Sequence, residues 1–475
     1  GGQTLSMSGS GTAASANVAN GIAMSSNGSL ALVDGTGAAS NYSLNSTVIN
    51  ITQRVLNSSG SKTYDGNTNA LASDVTLSNL AGGETLSHSG TATLGSKNVG
   101  SSTISNLAGI SIANGTGAAS NYTLTGGTHS FTVNKRVVNV SGTRLYNATT
   151  TAAASDLSTM TNLVGSETLV LSSSGTLANA NVGSNKTVTI GSLSLGNGSN
   201  GGLAANYTLT GGTHQLTVNQ RPLNATIARQ YDGTTNAAGS DVSSFDALQG
   251  GESLTMSGTG TVASKDVANG QSVTVGSLAL ANGGSGELAS NYILNSVALN
   301  ITKRVLGSSG SRVYDGTNNA SNSNLTLSNL VGTETLTLSG TGTLGDANVA
   351  SNKTVTLNTL GITDGSNGGL AGNYTLSGGT HQLTVSQRVV NVSGTRLYDA
   401  LSTAVASDLS TMTNLVGSQT LTLANSGTIA SKDVGSNKTV TIGSLSLGNG
   451  SNGGLAANYT LTGGTHQLTV NQRPL

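Results

Sequence analysis

The sequence predicts an all-β chain, a tandem array of small immunoglobulin-like β-sandwich modules. Three observations predict it. Apolar and polar residues alternate with a period of two, residue markers recur in step every 80 to 85 residues, and Gly, Asn and Ser clusters interrupt the alternation at roughly 8–12-residue intervals.

The alternation is plain in Lys186-Thr187-Val188-Thr189-Ile190, and Leu193 and Leu195 continue it; Leu169 with Leu171 and Leu216 with Val218 repeat the theme. Such a pattern puts one strand face in a core and the other in water. No stretch carries a sustained helical stripe, and Ser155-Asp156-Leu157 suits at most a single helical turn. Six or seven short strands in about 84 residues fit a sandwich. β-Grasp-like modules are the nearest alternative. A β-solenoid is a further one, but its coils would repeat every 20–30 residues or so.

The markers fix the module length. All 11 tyrosines fall on two recurring positions. One follows asparagine (Tyr42, Tyr122, Tyr207, Tyr292, Tyr374 and Tyr459), and the other opens a Tyr-Asp-Gly-like turn (Tyr64, Tyr146, Tyr231, Tyr314 and Tyr398). Arg54, Arg136, Arg221, Arg304, Arg388 and Arg473 close alternating stretches in the same rhythm. The predicted modules are residues 54–135, 136–220, 221–303, 304–387 and 388–475, with 1–53 a partial one. Residues 182–223 recur unchanged as 434–475, so the larger unit is three modules long. No Gly/Ser tract separates one module from the next, which predicts stiff connections.

Composition narrows the function. Only 8% of residues are charged, against roughly 25% in ordinary soluble domains, and 19 basic residues balance 19 acidic ones. A neutral surface does not attract phosphate backbones or anionic lipid, so nucleic acid is not an expected partner. No apolar run is long enough to span a bilayer, so no membrane insertion is expected in this segment. Neutral Ser, Thr, Asn and Gly keep the surface wet without charges that salt would screen. There is no cysteine, which removes disulfides and thiolate metal sites, and stability must come from cores and strand ladders. The 35% hydrophobic content, its alternation and the two prolines favour a folded chain over a disordered one. The segment is expected to be a window on a longer protein.

At Tyr64-Asp65-Gly66, Tyr231-Asp232-Gly233 and Tyr314-Asp315-Gly316, each following a strand such as Arg304-Val305-Leu306, the sequence resembles YDG-type repeats, relatives of the MBG repeats of large bacterial exoproteins. The Asn-Tyr-Thr stretch at Tyr122, Tyr207, Tyr374 and Tyr459 fits the same family. The resemblance covers the whole chain. It implies the repeat region of a filamentous-haemagglutinin-like surface adhesin, often exported by two-partner secretion, and implies no reaction. Tyr146-Asn147-Ala148 and Tyr398-Asp399-Ala400 depart from the pattern by losing the glycine.

The candidate sites have architectural readings. In the Tyr-Asp-Gly turn, tyrosine is expected at the core edge with its hydroxyl bonded, aspartate caps the turn and glycine supplies its geometry. His129, His214, His381 and His466 recur once per module, too far apart to share a metal, and are expected as half-exposed strand-edge side chains. Lys265 and Lys432 raise the idea of lysine–asparagine crosslinks, but Ala180 and Ala347 stand at equivalent places. Asn185, Asn352 and Asn437 lie in Asn-Lys-Thr sequons and are the exposed candidates for glycosylation. No catalytic residues, cofactor or metal ligands are assigned, and the chain is not expected to be an enzyme.

The expected function is a repeat stalk of a large secreted adhesin at the bacterial cell surface, giving reach and cohesion in adhesion or biofilm. Its expected partners are neighbouring copies of itself or cell-surface and matrix components. A self-assembling extracellular fibre subunit and a glycan- or protein-binding module are the alternatives.

Overall fold

The computed structural model describes residues 1–475. They form two compact units, residues 1–221 and 222–475. Strands, tight turns and single 3-10 turns make up the regular structure, with no α-helix. One of the 3-10 turns is Ala154–Asp156, where the sequence suggests a single turn.

Residues 304–387 illustrate one module. Its strands are β1 (Arg304–Val305), β2 (Gly307–Val313), β3 (Asn319–Ser321), β4 (Leu325–Ser328), β5 (Leu336–Ser339), β6 (Thr341–Thr343), β7 (Ala350–Thr354), β8 (Gly361–Asp364), β9 (Tyr374–Thr375) and β10 (His381–Ser386). The main sheet has the order β4-β2-β10-β7. Its central pair is parallel, from Ser308 opposite His381 to Val313 opposite Ser386, and both flanks are antiparallel. β3 pairs with β6 and β5 with β8, both antiparallel, and β1 lies parallel to β9. The same parallel pairing of opening and closing strands holds in residues 54–135, 136–220 and 388–475.

The all-β tandem of repeat modules is as the sequence predicts. The first and last long strands run side by side in the same direction in residues 54–135, 136–220, 304–387 and 388–475. The strand ladders close inside one module, so the chain is a tandem of discrete β units and not one solenoid.

Alternation does what a period of two requires. In β10, His381, Leu383 and Val385 are buried, while Gln382 and Thr384 are half-buried on the other face. Leu306, Ala320, Leu344, Val355 and Leu360 complete the core. Backbones approach closely at Gly310, where a Cβ would sit 1.7 Å from the Asn324 carbonyl oxygen. The corresponding residue in 221–303 is the fully buried Ile227, and there a bulge between Thr226 and Ile227 opens the ladder to admit it.

Bulges also explain the sequons. Asn185, Asn352 and Asn437 are exposed and left-handed, with φ of 49°, 51° and 50°, a conformation asparagine tolerates. Each N–H donates to a threonine hydroxyl on the closing strand, at Thr217, Thr384 or Thr469, 3.1 Å away.

Residues 1–53 hold only part of a module. Val48–Ile51 pairs on one side with Ala19–Ser26. The edge that an opening strand fills elsewhere is uncovered, so Ile49 is 44% exposed where the corresponding Leu299 is 0%.

Candidate functional site: the joint between modules

The Tyr-Asp-Gly turn follows directly on β2 and points into the next module. Each of its residues has a separate task. In the ion pair nearest the turn, Arg312 binds Asp315 three residues on; Lys62–Asp65 at 2.8 Å and Arg229–Asp232 are its counterparts. The same carboxylate accepts the backbone N–H two residues later, at Thr317 or Thr234, 2.9 Å away. Two anchors therefore fix the turn, and both charge attraction and the Asx turn keep it tight.

The tyrosine, thus aimed, crosses the module boundary. Tyr64 donates to Glu167 Oε1 at 2.7 Å, and Tyr207 of that same following module donates to Oε2 at 2.6 Å. The two rings meet edge to face with centroids 5.4 Å apart, a favoured arrangement of ring quadrupoles. Tyr207 also accepts the Val164 N–H at 3.1 Å. Both tyrosines are buried, and Glu167 is 9% exposed.

In the second unit, Tyr231 and Tyr374 donate to the two oxygens of Glu334, both at 2.6 Å, with centroids 5.3 Å apart. Lys265 adds a charge at 3.0 Å from Glu334 Oε1. That contact is with a carboxylate across the boundary, and not with the asparagine a crosslink would need. The next joint replaces the carboxylate by an amide: Gln419 Nε2 donates to Tyr314 at 2.9 Å, while Tyr459 donates to Gln419 Oε1.

The glycine is required by the neighbour. Gly66, Gly233 and Gly316 have φ of 80°, 78° and 78°. A Cβ on them would lie 2.8, 2.6 and 2.6 Å from a Cγ1 of Val164, Val331 and Val416 in the following module.

A second clasp lies beside the first. The asparagine preceding the other tyrosine reaches back to the upstream module, accepting from a valine N–H and donating to an Asn or Asp side chain. Asn206 binds Val99 and Asn98, both at 3.0 Å; Asn373 binds Val267 and Asp266, both at 2.8 Å. Asn121 and Asn458 repeat it with Val18 and Val349. The arginine opening each module completes the joint. Arg136 grips Asn162 through Nε and Nη2, both at 2.7 Å, and Arg304 grips Asn329 likewise. Their Nη1 atoms reach the carbonyls of Tyr64 and Tyr231, 3.4 Å away in the previous module.

Burial first, and then the bond to Glu167, pushes the Tyr64 and Tyr207 hydroxyls up to about 12. The Tyr374 hydroxyl rises to about 12 for the same reasons, with Glu334 in the role of Glu167. Burial works against the Glu334 carboxylate, yet bonds from Tyr231, Tyr374 and Lys265 hold it below its usual range. The tyrosines set the alkaline limit. An unfolded chain releases these protons near 10.0 and the folded one near 12, so the stability they confer is complete below pH 10 and lost as pH rises through about 12. Tyrosinate absorbance on the folded chain is expected to show these groups titrating near 12, falling toward 10 in urea; a folded chain whose tyrosines all ionise near 10 would refute it.

The histidines belong to the modules and not to the joint. Nε2 of His129, His214, His381 and His466 each faces a carbonyl 2.8 Å away, that of the leucine five residues earlier. A carbonyl only accepts, so Nε2 carries the proton and Nδ1 is the acceptor, taking the Ser308 hydroxyl at 2.9 Å in the case of His381. His214, His381 and His466 are buried, which corrects the half-exposed expectation; His129 is intermediate.

Sequence motifs mark the tyrosines but not their acceptors. Gln3, Glu84, Glu167, Glu252, Glu334 and Gln419 recur in step with them, and four of the five glutamates in the chain are in that set. That periodicity was the available signal.

A family model described as the YDG domain matches residues 50–130, 132–215, 214–299, 298–381 and 379–467. No curated protein matches the chain. Among solved structures, a crystal structure of Drosophila N-cadherin EC1-4 aligns at 9% identity over 71% of this chain and 93% of its own, with a TM-score of 0.11. A score that low carries no argument about the fold.

Proposed function

From the premise that this chain belongs to the YDG domain family, we propose that it is the structural repeat stalk of a large secreted bacterial surface adhesin. The stalk gives reach and cohesion to adhesion or biofilm, and no reaction is part of its work. The observation that carries this reading is the joint. Buried polar groups at module boundaries, Glu167 with Tyr64 and Tyr207 and Glu334 with Tyr231 and Tyr374, bind one module to the next.

In a tandem array, stability is the sum of what each module contributes and what each interface adds. Joints of this kind raise the interface share, which suits a chain that must stay extended and folded outside the cell. Low charge and neutral polar side chains keep that balance insensitive to salt.

Immunogold labelling of intact cells of the source organism with antibody against residues 1–475 tests the reading. Label on unbroken cells, removed by external protease, is the expected result. Label that appears only after lysis would overturn it.

A further inference from the structure

We propose that each module is a mechanical clamp, carrying tension between its two ends through the parallel ladder of its first and last long strands. The inference takes its purpose from the stalk reading, but its test does not depend on where the protein resides.

The argument is geometric. Tension enters residues 304–387 at the start of β2 and leaves at the end of β10. Because the strands are parallel, these points lie at opposite ends of the paired stretch, which runs from Ser308 opposite His381 to Val313 opposite Ser386. Pulling the ends apart therefore slides one strand along the other. Ladder bonds run across the strands, so sliding loads them together and none opens until many give way. Were the two strands antiparallel, both ends would lie at one edge of the ladder and the bonds would open singly.

The ladder sits in the middle of the sheet. β4 and β7 flank it, and Leu306, Leu383 and Val385 bury its inner face. Sliding must also drag those side chains out of register in a packed core, where small displacements lose contacts. Six residue pairs form the same parallel ladder in 54–135, 136–220 and 388–475.

The joint modifies the path. Tyr314, next after β2, is tied to Gln419 of the following module. Pull from that module thus reaches the far end of β2 as well as the end of β10, and the ladder carries the whole sliding load only after the tyrosine bond opens.

Single-molecule pulling on the full chain tests the clamp, and the absence of native cysteine makes handles specific. Ser309, Thr380 and Ser386 are exposed. Handles at Ser309→Cys and Ser386→Cys pull along the ladder, whereas Ser309→Cys and Thr380→Cys pull it open from one end. The unfolding force is expected to be several-fold higher in the first geometry. Ser393→Cys with Asn471→Cys, against Ser393→Cys with Thr465→Cys, repeats the comparison in the last module and guards against a handle that perturbs one site. Equal forces in both directions would overturn the clamp while leaving the surface location of the stalk untouched; cell labelling confined to lysed cells would do the reverse.

Discussion

Replacing Glu167 by alanine is expected to weaken the joint between residues 54–135 and 136–220 by about 4 kcal/mol. The carboxylate accepts the hydroxyl protons of both Tyr64 and Tyr207. Its removal leaves two buried hydroxyls without acceptors, at roughly 1–3 kcal/mol each. The vacated volume adds a cavity beneath the two rings. Glutamine should cost far less, about 1 kcal/mol, because it loses charge assistance but keeps an acceptor; Gln419 already does this between Tyr314 and Tyr459. Urea unfolding followed by hydrogen exchange distinguishes the outcomes. The alanine variant is expected to split a single transition into separate ones, and the glutamine variant to keep it whole. An alanine variant that unfolds as the parent does would remove the joint from any account of stability.

How much of this was visible beforehand depends on whether a feature repeats and whether it is local. Leu383 and Val385 betray strand and face by alternation alone, because their burial follows from the pleat. The Tyr-Asp-Gly turn is equally legible, since Asp315 anchors to Arg312 and Thr317 only a few residues away. Strand direction is not local. The parallel run of Ser308–Val313 against His381–Ser386 joins segments some seventy residues apart, and alternation is the same for either direction. The destination of Tyr64 is more distant still, since Glu167 lies 103 positions further along the chain. A tyrosine at a core edge and a tyrosine passing through that edge into a neighbour have the same local sequence. Only the coincident period of the glutamates separates them.

Gly316→Ala carries the second large effect, about 3 kcal/mol, and its origin is separable. Part is backbone strain, since φ at Gly316 is 78° and a side chain in the left-handed region costs about 1–2 kcal/mol. Ala148 and Ala400 occupy the equivalent turns at φ of 59° and 64°, so strain alone does not forbid alanine there. The remainder comes from the neighbour: a Cβ would fall 2.6 Å from Val416 Cγ1, and the following module must move away to admit it. Trimming the neighbour tests the division. In the Val416→Ala background, Gly316→Ala is expected to cost only the strain, about 1–2 kcal/mol, leaving a coupling energy of about 1 kcal/mol in a double-mutant cycle. Denaturant unfolding of the four chains measures it. If the glycine substitution costs the same with valine or alanine opposite, the glycine serves its own turn and not the seam between modules.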